Sequence, residues 1–165
     1  MKKIKIDISI EEYINGEQVP EADEKLIKQA VEALQNSYAP YSQFHVGSAV
    51  LLDNGKIIHG SNQENAAYPS GLCAERVALF SAKSSFPDIA VRAIAITSRA
   101  DHFETESPVT PCGACRQVIA EIQNGQKNQI RIIMRGQKGG TYITEGIENL
   151  LPLMFKEEKL KKSNK

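Results

Sequence analysis

Residues 44–61 read F-H-V-G-S-A-V-L-L, then D-N-G, then K-I-I-H-G-S. Two β-rich runs, 44–52 and 56–61, flank Asp53-Asn54-Gly55. Asn-Gly tolerates the positive φ of a tight turn, so the stretch predicts an antiparallel hairpin. Upstream, Leu26, Ile27, Ala30, Val31 and Leu34 recur at helical spacing and predict an amphipathic helix over 22–36, which Tyr38-Ala39-Pro40-Tyr41-Ser42 breaks. Downstream, the pattern predicts a helix over 73–84 and a buried strand over 89–97. A further helix runs from Cys112 to Ile122, with Pro111 suited to its first turn. Ile130–Met134 reads as a short strand and Asn149–Phe155 as a last short helix. Hairpin, helix, strand, helix, strand is the order of an α/β sandwich with mixed strand directions. At the amino end, Ile4, Ile6, Ile8 and Ile10 alternate with polar residues and predict a half-buried strand over 3–10.

Composition bounds the function. The chain has 165 residues, with 20 Lys+Arg against 20 Asp+Glu, 41% hydrophobic and 24% charged residues. That suits one domain with its own core and argues against general disorder. Neutrality removes the electrostatic footprint of a nucleic-acid binder or a polybasic membrane protein. Lys5 and Asp7 interrupt the apolar region a signal peptide would need after Met1-Lys2-Lys3, and Arg92 interrupts the longest apolar run. The expectation is a cytoplasmic protein. Residues 156–165, K-E-E-K-L-K-K-S-N-K, read as a charged, solvated tail.

Three cysteines are too few and too odd for a disulfide framework. They fall in two short segments, Cys73-Ala74-Glu75-Arg76 and Pro111-Cys112-Gly113-Ala114-Cys115. Cysteines three apart at a helix start share one face of the first turn. Helix-end N–H groups lower the thiol pKa values, and Cys73 would complete the three protein ligands of a catalytic zinc site, with water fourth. Glu75 can share that site only if Cys73 occupies the very start of its helix; a carboxylate there can pass a proton from water to a leaving group. Three thiolates around Zn²⁺ sum to −1, and Arg76, three residues after Cys73, can offset that charge. Two rival readings remain for the residues alone. One is a thioredoxin-type redox pair, which leaves Cys73 and Glu75 unexplained. The other is a structural Cys₃His zinc completed by His45, His59 or His102, none of which has close ligand spacing to a cysteine.

With these residues in view, the sequence resembles the short-chain cytidine deaminases. The resemblance rests on Y-A-P-Y-S-Q-F-H-V-G-S-A-V at 38–50, N-Q-E-N-A-A-Y at 62–68, C-A-E-R at 73–76 and P-C-G-A-C-R-Q at 111–117, with a weaker L-L-P-L-M-F at 150–155. It implies a three-layer α/β/α sandwich with a mixed central β-sheet, residues 23–155 as the catalytic domain, and 1–22 as an amino-terminal extension. It implies one Zn²⁺ per subunit on Cys73, Cys112 and Cys115, Glu75 as proton shuttle, and Arg76 compensating the thiolate charge. Water activated by zinc would attack C4 of cytosine, releasing ammonia and leaving uridine. Asn62 and Glu64 match the pair that reads the ribose 3′-hydroxyl, and Phe44 the aromatic against the pyrimidine. The Ala74 carbonyl would accept from the 4-amino group, and Phe155 would close over the base, often across a subunit boundary. The implied partners are cytidine and deoxycytidine in a homotetramer, with no nucleic acid and no membrane. The sequence departs from the family pattern at His45, where proline is common, at Gln63, and at Met154; the loop Arg99–Thr110 is longer than usual. A related zinc deaminase acting on an aminoacyl nucleoside antibiotic and a non-enzymatic module held by structural zinc are the competing functions.

Overall fold

The computed structural model describes residues 1–105, 107–157 and 160. Six strands form one mixed sheet: β1 (Glu11–Tyr13), β2 (Phe44–Leu52), β3 (Ile57–Ser61), β4 (Val91–Ala100), β5 (Arg131–Arg135) and β6 (Thr141–Glu145). Their spatial order is β1-β6-β5-β4-β2-β3. Every neighbouring pair is antiparallel except β4 and β5. A parallel pair needs a crossover, and α3 (Gly113–Asn124) supplies it. The helix α1 (Glu21–Ala33) covers one face, where Leu26, Ile27 and Ala30 pack on Ala49, Ala93, Ala95, Ile133 and Ile143. The helices α2 (Ala74–Ser85) and α3 cover the other, where Ala78, Leu79 and Ile119 meet Val50, Ile94, Ile96, Ile132 and Met134. Alternate residues of each strand thus feed two separate cores, and the three layers follow.

The face covered by α1 is also fastened by charge. Asp23, 5% exposed, sits in the first turn of α1 and accepts from Arg131 on β5, Nε–Oδ1 at 2.9 Å and Nη2–Oδ2 at 2.8 Å. Arg131 also pairs with Glu145, and the neighbouring Arg135 donates to Glu24 at 2.7 Å. A buried carboxylate is tolerable only with such bidentate, charge-assisted partners.

Four elements differ from the sequence expectation. Residues 3–10 belong to no strand: Ile4, Ile6, Ile8 and Ile10 are 39–82% exposed. The edge strand begins one residue later, at Glu11 opposite Ile143. Before it, side chains take up the backbone, Asn149 Oδ1 accepting from Ser9 N and the Thr144 hydroxyl donating to Ser9 O. The last helix shrinks to a single 3-10 turn at Ile147–Asn149, because Pro152 has no N–H to continue a ladder and Arg116 binds the Leu150 carbonyl at 2.7 Å. Pro111 lies just outside α3, whose cap is Cys112. The strand β6 was hidden in a five-residue T-Y-I-T-E run. Of the charged tail, 158, 159 and 161–165 lie outside the described residues.

One glycine couples the sheet to the site. A Cβ on Gly60 would meet the Ala74 carbonyl and lie 2.5 Å from Ala78 N and 2.8 Å from Ala78 Cβ, all on α2. Backbone at that distance cannot yield as a side-chain tip can. Gly60→Ala is therefore expected to push the start of α2 off the sheet and cost at least about 1–3 kcal/mol, read by urea unfolding of the metal-loaded protein.

Candidate active site

The chain places two helix starts side by side. Cys73 is the N-cap of α2 (φ −69°, ψ 152°) and Cys112 the N-cap of α3 (φ −66°, ψ 167°), and neither cap residue spends its side chain on the helix. Cys115 follows in the first turn of α3 and is buried. The Cys73 and Cys112 sulfurs are 3.8 Å apart, and those of Cys112 and Cys115 3.6 Å. All three lie within 4.8 Å of one another, and among the described residues no other group of His, Cys, Asp and Glu comes as close. Two sulfurs at 2.3 Å from one tetrahedral ion are about 3.8 Å apart, so the cluster fits zinc. No histidine joins it. His45 bonds Ser37 and Asp101, His59 bonds Gln29, and His102 is exposed. The three-sulfur set leaves a fourth position, and Cys73 and Cys112 both line a cleft of about 690 Å³.

Electrostatics follow from this placement. The Cys73 thiol is drawn down to about 5, chiefly by hydrogen bonding from Cys115 and then from Arg76. The hydrogen bond to the Cys73 sulfur, and then burial, push Cys115 the other way. Arg76 Nη2 lies 3.8 Å from Cys73 Sγ and 3.4 Å from the Gly71 carbonyl. Its guanidinium is stabilised mainly by the Cys73 sulfur. Glu75 is 4% exposed and lines the same cleft. Burial is the first cause holding its carboxyl above the ordinary range, with the Cys73 charge adding to it. A carboxyl so placed can both accept and return a proton.

The cleft wall opposite the sulfurs comes from the start of β2 and the segment after β3. Phe44, Val46, Asn62 and Glu64 line it. The Asn62 amide is pinned from both ends: Oδ1 accepts from Val46 N at 2.8 Å and Ser37 Oγ at 2.6 Å, while Nδ2 donates to Phe44 O at 2.8 Å. One Nδ2 proton remains. Glu64 Oε2 accepts from the Tyr41 and Ser42 amides at 2.9 and 3.2 Å. The Ser42 hydroxyl and then these amides hold the Glu64 carboxyl below the usual carboxylate range, against a weaker burial effect.

Four expectations meet a different geometry. The Ala74 carbonyl is turned toward Gly60 inside the first turn of α2, and Ala74 is fully buried and does not line the cleft, so it is not free to receive a 4-amino group. Phe155 is 69% exposed and away from the cleft of its own chain, with its backbone bracketed by Gln117 at 2.9 and 3.3 Å. Met154 packs against the core and takes a contact from Asn124 Nδ2 rather than bordering the cleft. The Gln63 amide points to Asn36 O and Ser61 Oγ, so it secures the segment that carries Asn62 and Glu64. Sequence reasoning gave Arg116 no role, although it lies in the quoted cysteine motif. Its guanidinium gathers Pro111 O, Leu150 O and Thr110 Oγ1, fixing the approach to Cys112. The long loop is also not idle: Phe103 stacks on Phe44, centroids 6.2 Å apart and planes at 21°.

Comparison with known proteins agrees with this zinc centre on an α/β/α fold. The model of the cytidine and deoxycytidylate deaminase zinc-binding region matches residues 20–129. Over 141 residues the chain is 44% identical to a cytidine deaminase of Sporosarcina psychrophila, covering 83% of this chain and 93% of that one. The crystal structure of cytidine deaminase from Burkholderia pseudomallei matches with a TM-score of 0.69 at 40% identity, covering 80% and 98% of the two chains. That from Mycobacterium tuberculosis matches at 0.63 and 30%, covering 81% and 97%. The chain belongs to the zinc-dependent cytidine and deoxycytidylate deaminase family.

Because the zinc ligands also hold two helix starts together, metal and fold are linked. Cys115→Ser is expected to bind less than about a tenth of the zinc of the parent and to melt at lower temperature. Metal analysis of the purified protein and a thermal scan check both.

Proposed function

We propose that the protein hydrolyses cytidine and 2′-deoxycytidine to uridine and 2′-deoxyuridine with release of ammonia, and so serves pyrimidine salvage. The observation that carries this reading is the buried Glu75 carboxyl in the same cleft as three sulfurs arranged for zinc. Cys73, Cys112 and Cys115 hold the metal, which when bound supplies Lewis-acid activation of water. Glu75 would take the first proton of the attacking water and deliver it to N3 of the base, then take the second from the new 4-hydroxyl and pass it to the departing 4-amino group. One water enters, the C4–N bond breaks, and ammonia leaves. Arg76 and the uncapped N–H groups of α2 and α3 offset the negative charge of three thiolates, which would otherwise dull the metal's acidity.

The far end of the cleft suits a sugar hydroxyl. Such a group needs one donor and one acceptor. Asn62 has one uncommitted N–H and Glu64 offers carboxylate lone pairs, both on the cleft wall. Phe44, backed by Phe103, offers a flat apolar face to the base. Among the described residues lining the cleft Arg76 is the single Lys or Arg, and its Nη2 is directed at Cys73 Sγ and the Gly71 carbonyl. The one cleft cation thus stands at the sulfur end, beside Cys73, which favours nucleosides over nucleotides and polynucleotides. We read residues 23–155 as the catalytic domain and the enzyme as a cytoplasmic homotetramer. In that assembly, the exposed Phe155 of one subunit is free to cover the base held by a neighbour.

Glu75→Gln is expected to keep about one zinc per chain and lose at least about a thousandfold in kcat for cytidine. Unchanged turnover in a zinc-loaded variant defeats the mechanism, and a structural-zinc module predicts no turnover in the parent. The sugar reading makes a pH prediction. A carboxyl whose pKa is depressed stays ionised until pH falls through the lowered value, so the contribution of Glu64 is present throughout the neutral range and lost only in acid. The ratio of kcat/KM for cytidine to that for 3′-deoxycytidine should stay flat from about pH 8 to about pH 5.5, measured at constant ionic strength. A ratio that halves within that window contradicts it.

A further inference from the structure

Residues 44 and 46 face the cleft, so the period-two alternation of β2 turns His45 to the other face, behind the sugar end of the site. There it stands in a line of hydrogen bonds. Asp101 Oδ2 lies 3.2 Å from His45 Nε2, His45 Nδ1 lies 3.0 Å from Ser37 Oγ, and Ser37 Oγ lies 2.6 Å from Asn62 Oδ1. The side chain of His45 is 15% exposed and that of Asp101 43%. Asp101 belongs to the long loop, and its own amide fastens the loop to Gln43 O at 3.1 Å.

The direction of this line is fixed by its far end. Asn62 Oδ1 accepts from Val46 N while Nδ2 donates to Phe44 O, so the amide cannot be flipped. Ser37 faces an oxygen that can only accept, so its single hydroxyl proton goes to Asn62. Its oxygen then accepts from His45 Nδ1–H, and the second ring nitrogen faces the Asp101 carboxylate. The His45-to-Ser37 and Ser37-to-Asn62 bonds run in one direction, so the first polarises the second. The line therefore ends on the Asn62 amide, whose remaining N–H is drawn away from its oxygen and made a better donor.

We propose that His45 is a positioning residue for the nucleoside sugar, acting through Ser37 on Asn62 and anchored by Asp101 of the 99–110 loop. This rests on the reading that Asn62 and Glu64 bind the 3′-hydroxyl. His45 itself touches neither substrate nor metal. Its removal weakens capture of the sugar and leaves the chemistry at Glu75 intact.

The test compares cytidine with 3′-deoxycytidine in the zinc-loaded enzyme. For cytidine, His45→Leu is expected to raise KM about three- to tenfold with kcat within about twofold of the parent. For 3′-deoxycytidine, the same variant should leave both constants within about twofold. Ser37→Ala, which removes one oxygen, should reproduce the cytidine effect, and the double variant should be no worse than either single one. His45→Asn, whose Nδ2 can stand in for Nδ1, should recover most of the loss. A KM rise of equal size for both nucleosides, a fall in kcat without a KM change, or no change at all overturns the proposal. If His45→Leu is poorly folded by thermal scan, the Ser37→Ala comparison decides on the same criteria. The underlying sugar reading fails separately, and takes the proposal with it, if the parent enzyme uses the two nucleosides with equal kcat/KM.

Discussion

Everything in this molecule turns on the meeting of two helix N-termini at one point. The first turns of α2 and α3 each bring a cysteine cap, uncapped N–H groups and a positive dipole end to the same few ångströms. Without charge to neutralise, that juxtaposition would be unfavourable. Three thiolates supply the charge, and the helix ends in turn make thiolates easier to form. Each half offsets the charge of the other, so a metal held there is a structural bond between two helices as well as a reagent. The remaining sheet geometry serves this contact: β3 lets α2 approach because Gly60 has no side chain, and Arg116 holds the turn into α3.

The second constraint is the limited number of hydrogen-bonding valences around Asn62. A side-chain amide offers two donors and two acceptor lone pairs. Both lone pairs and one donor are used within the chain. The cleft is therefore presented with a single, rigidly aimed N–H, beside a carboxylate with one oxygen tied to two backbone amides. Preorganisation of this kind lowers the ordering cost of binding, because the receptor groups lose little freedom when the ligand arrives.

Much of this could be read before the fold was known. The hairpin at 44–61, the two later helices and the strand at 131–135 carry strong local signals and fall within two residues of expectation. The cysteine spacing with Glu75 anticipated the cluster, since three residues apart at a helix start is a geometric statement. What escaped was whatever depends on partners far along the chain. The Ile4–Ile10 alternation has the period of a strand, yet β6 pairs only from Glu11 onward, and pairing decides. Which way the Ala74 carbonyl points depends on packing against Gly60, which spacing does not encode. Likewise Gln63 reads as an intruder between two sugar-reading residues, but its amide is used backward, on Asn36.

His45 and the long loop were legible only as departures from a pattern, each without a purpose of its own. In the fold they are in contact, through Asp101, and the loop also brings Phe103 against Phe44. A loop of that length costs conformational entropy and is worth ordering only where it gains contacts. Here its contacts reach both ends of the nucleoside subsite from behind, the sugar side through His45 and the base side through Phe44. The segment outside the common core is thus tied to the same wall as the residues that would hold the substrate. A change in the loop that frees Asp101 or Phe103 would act on nucleoside capture while the sulfurs and Glu75 keep the helix starts and the Arg116 contacts that place them.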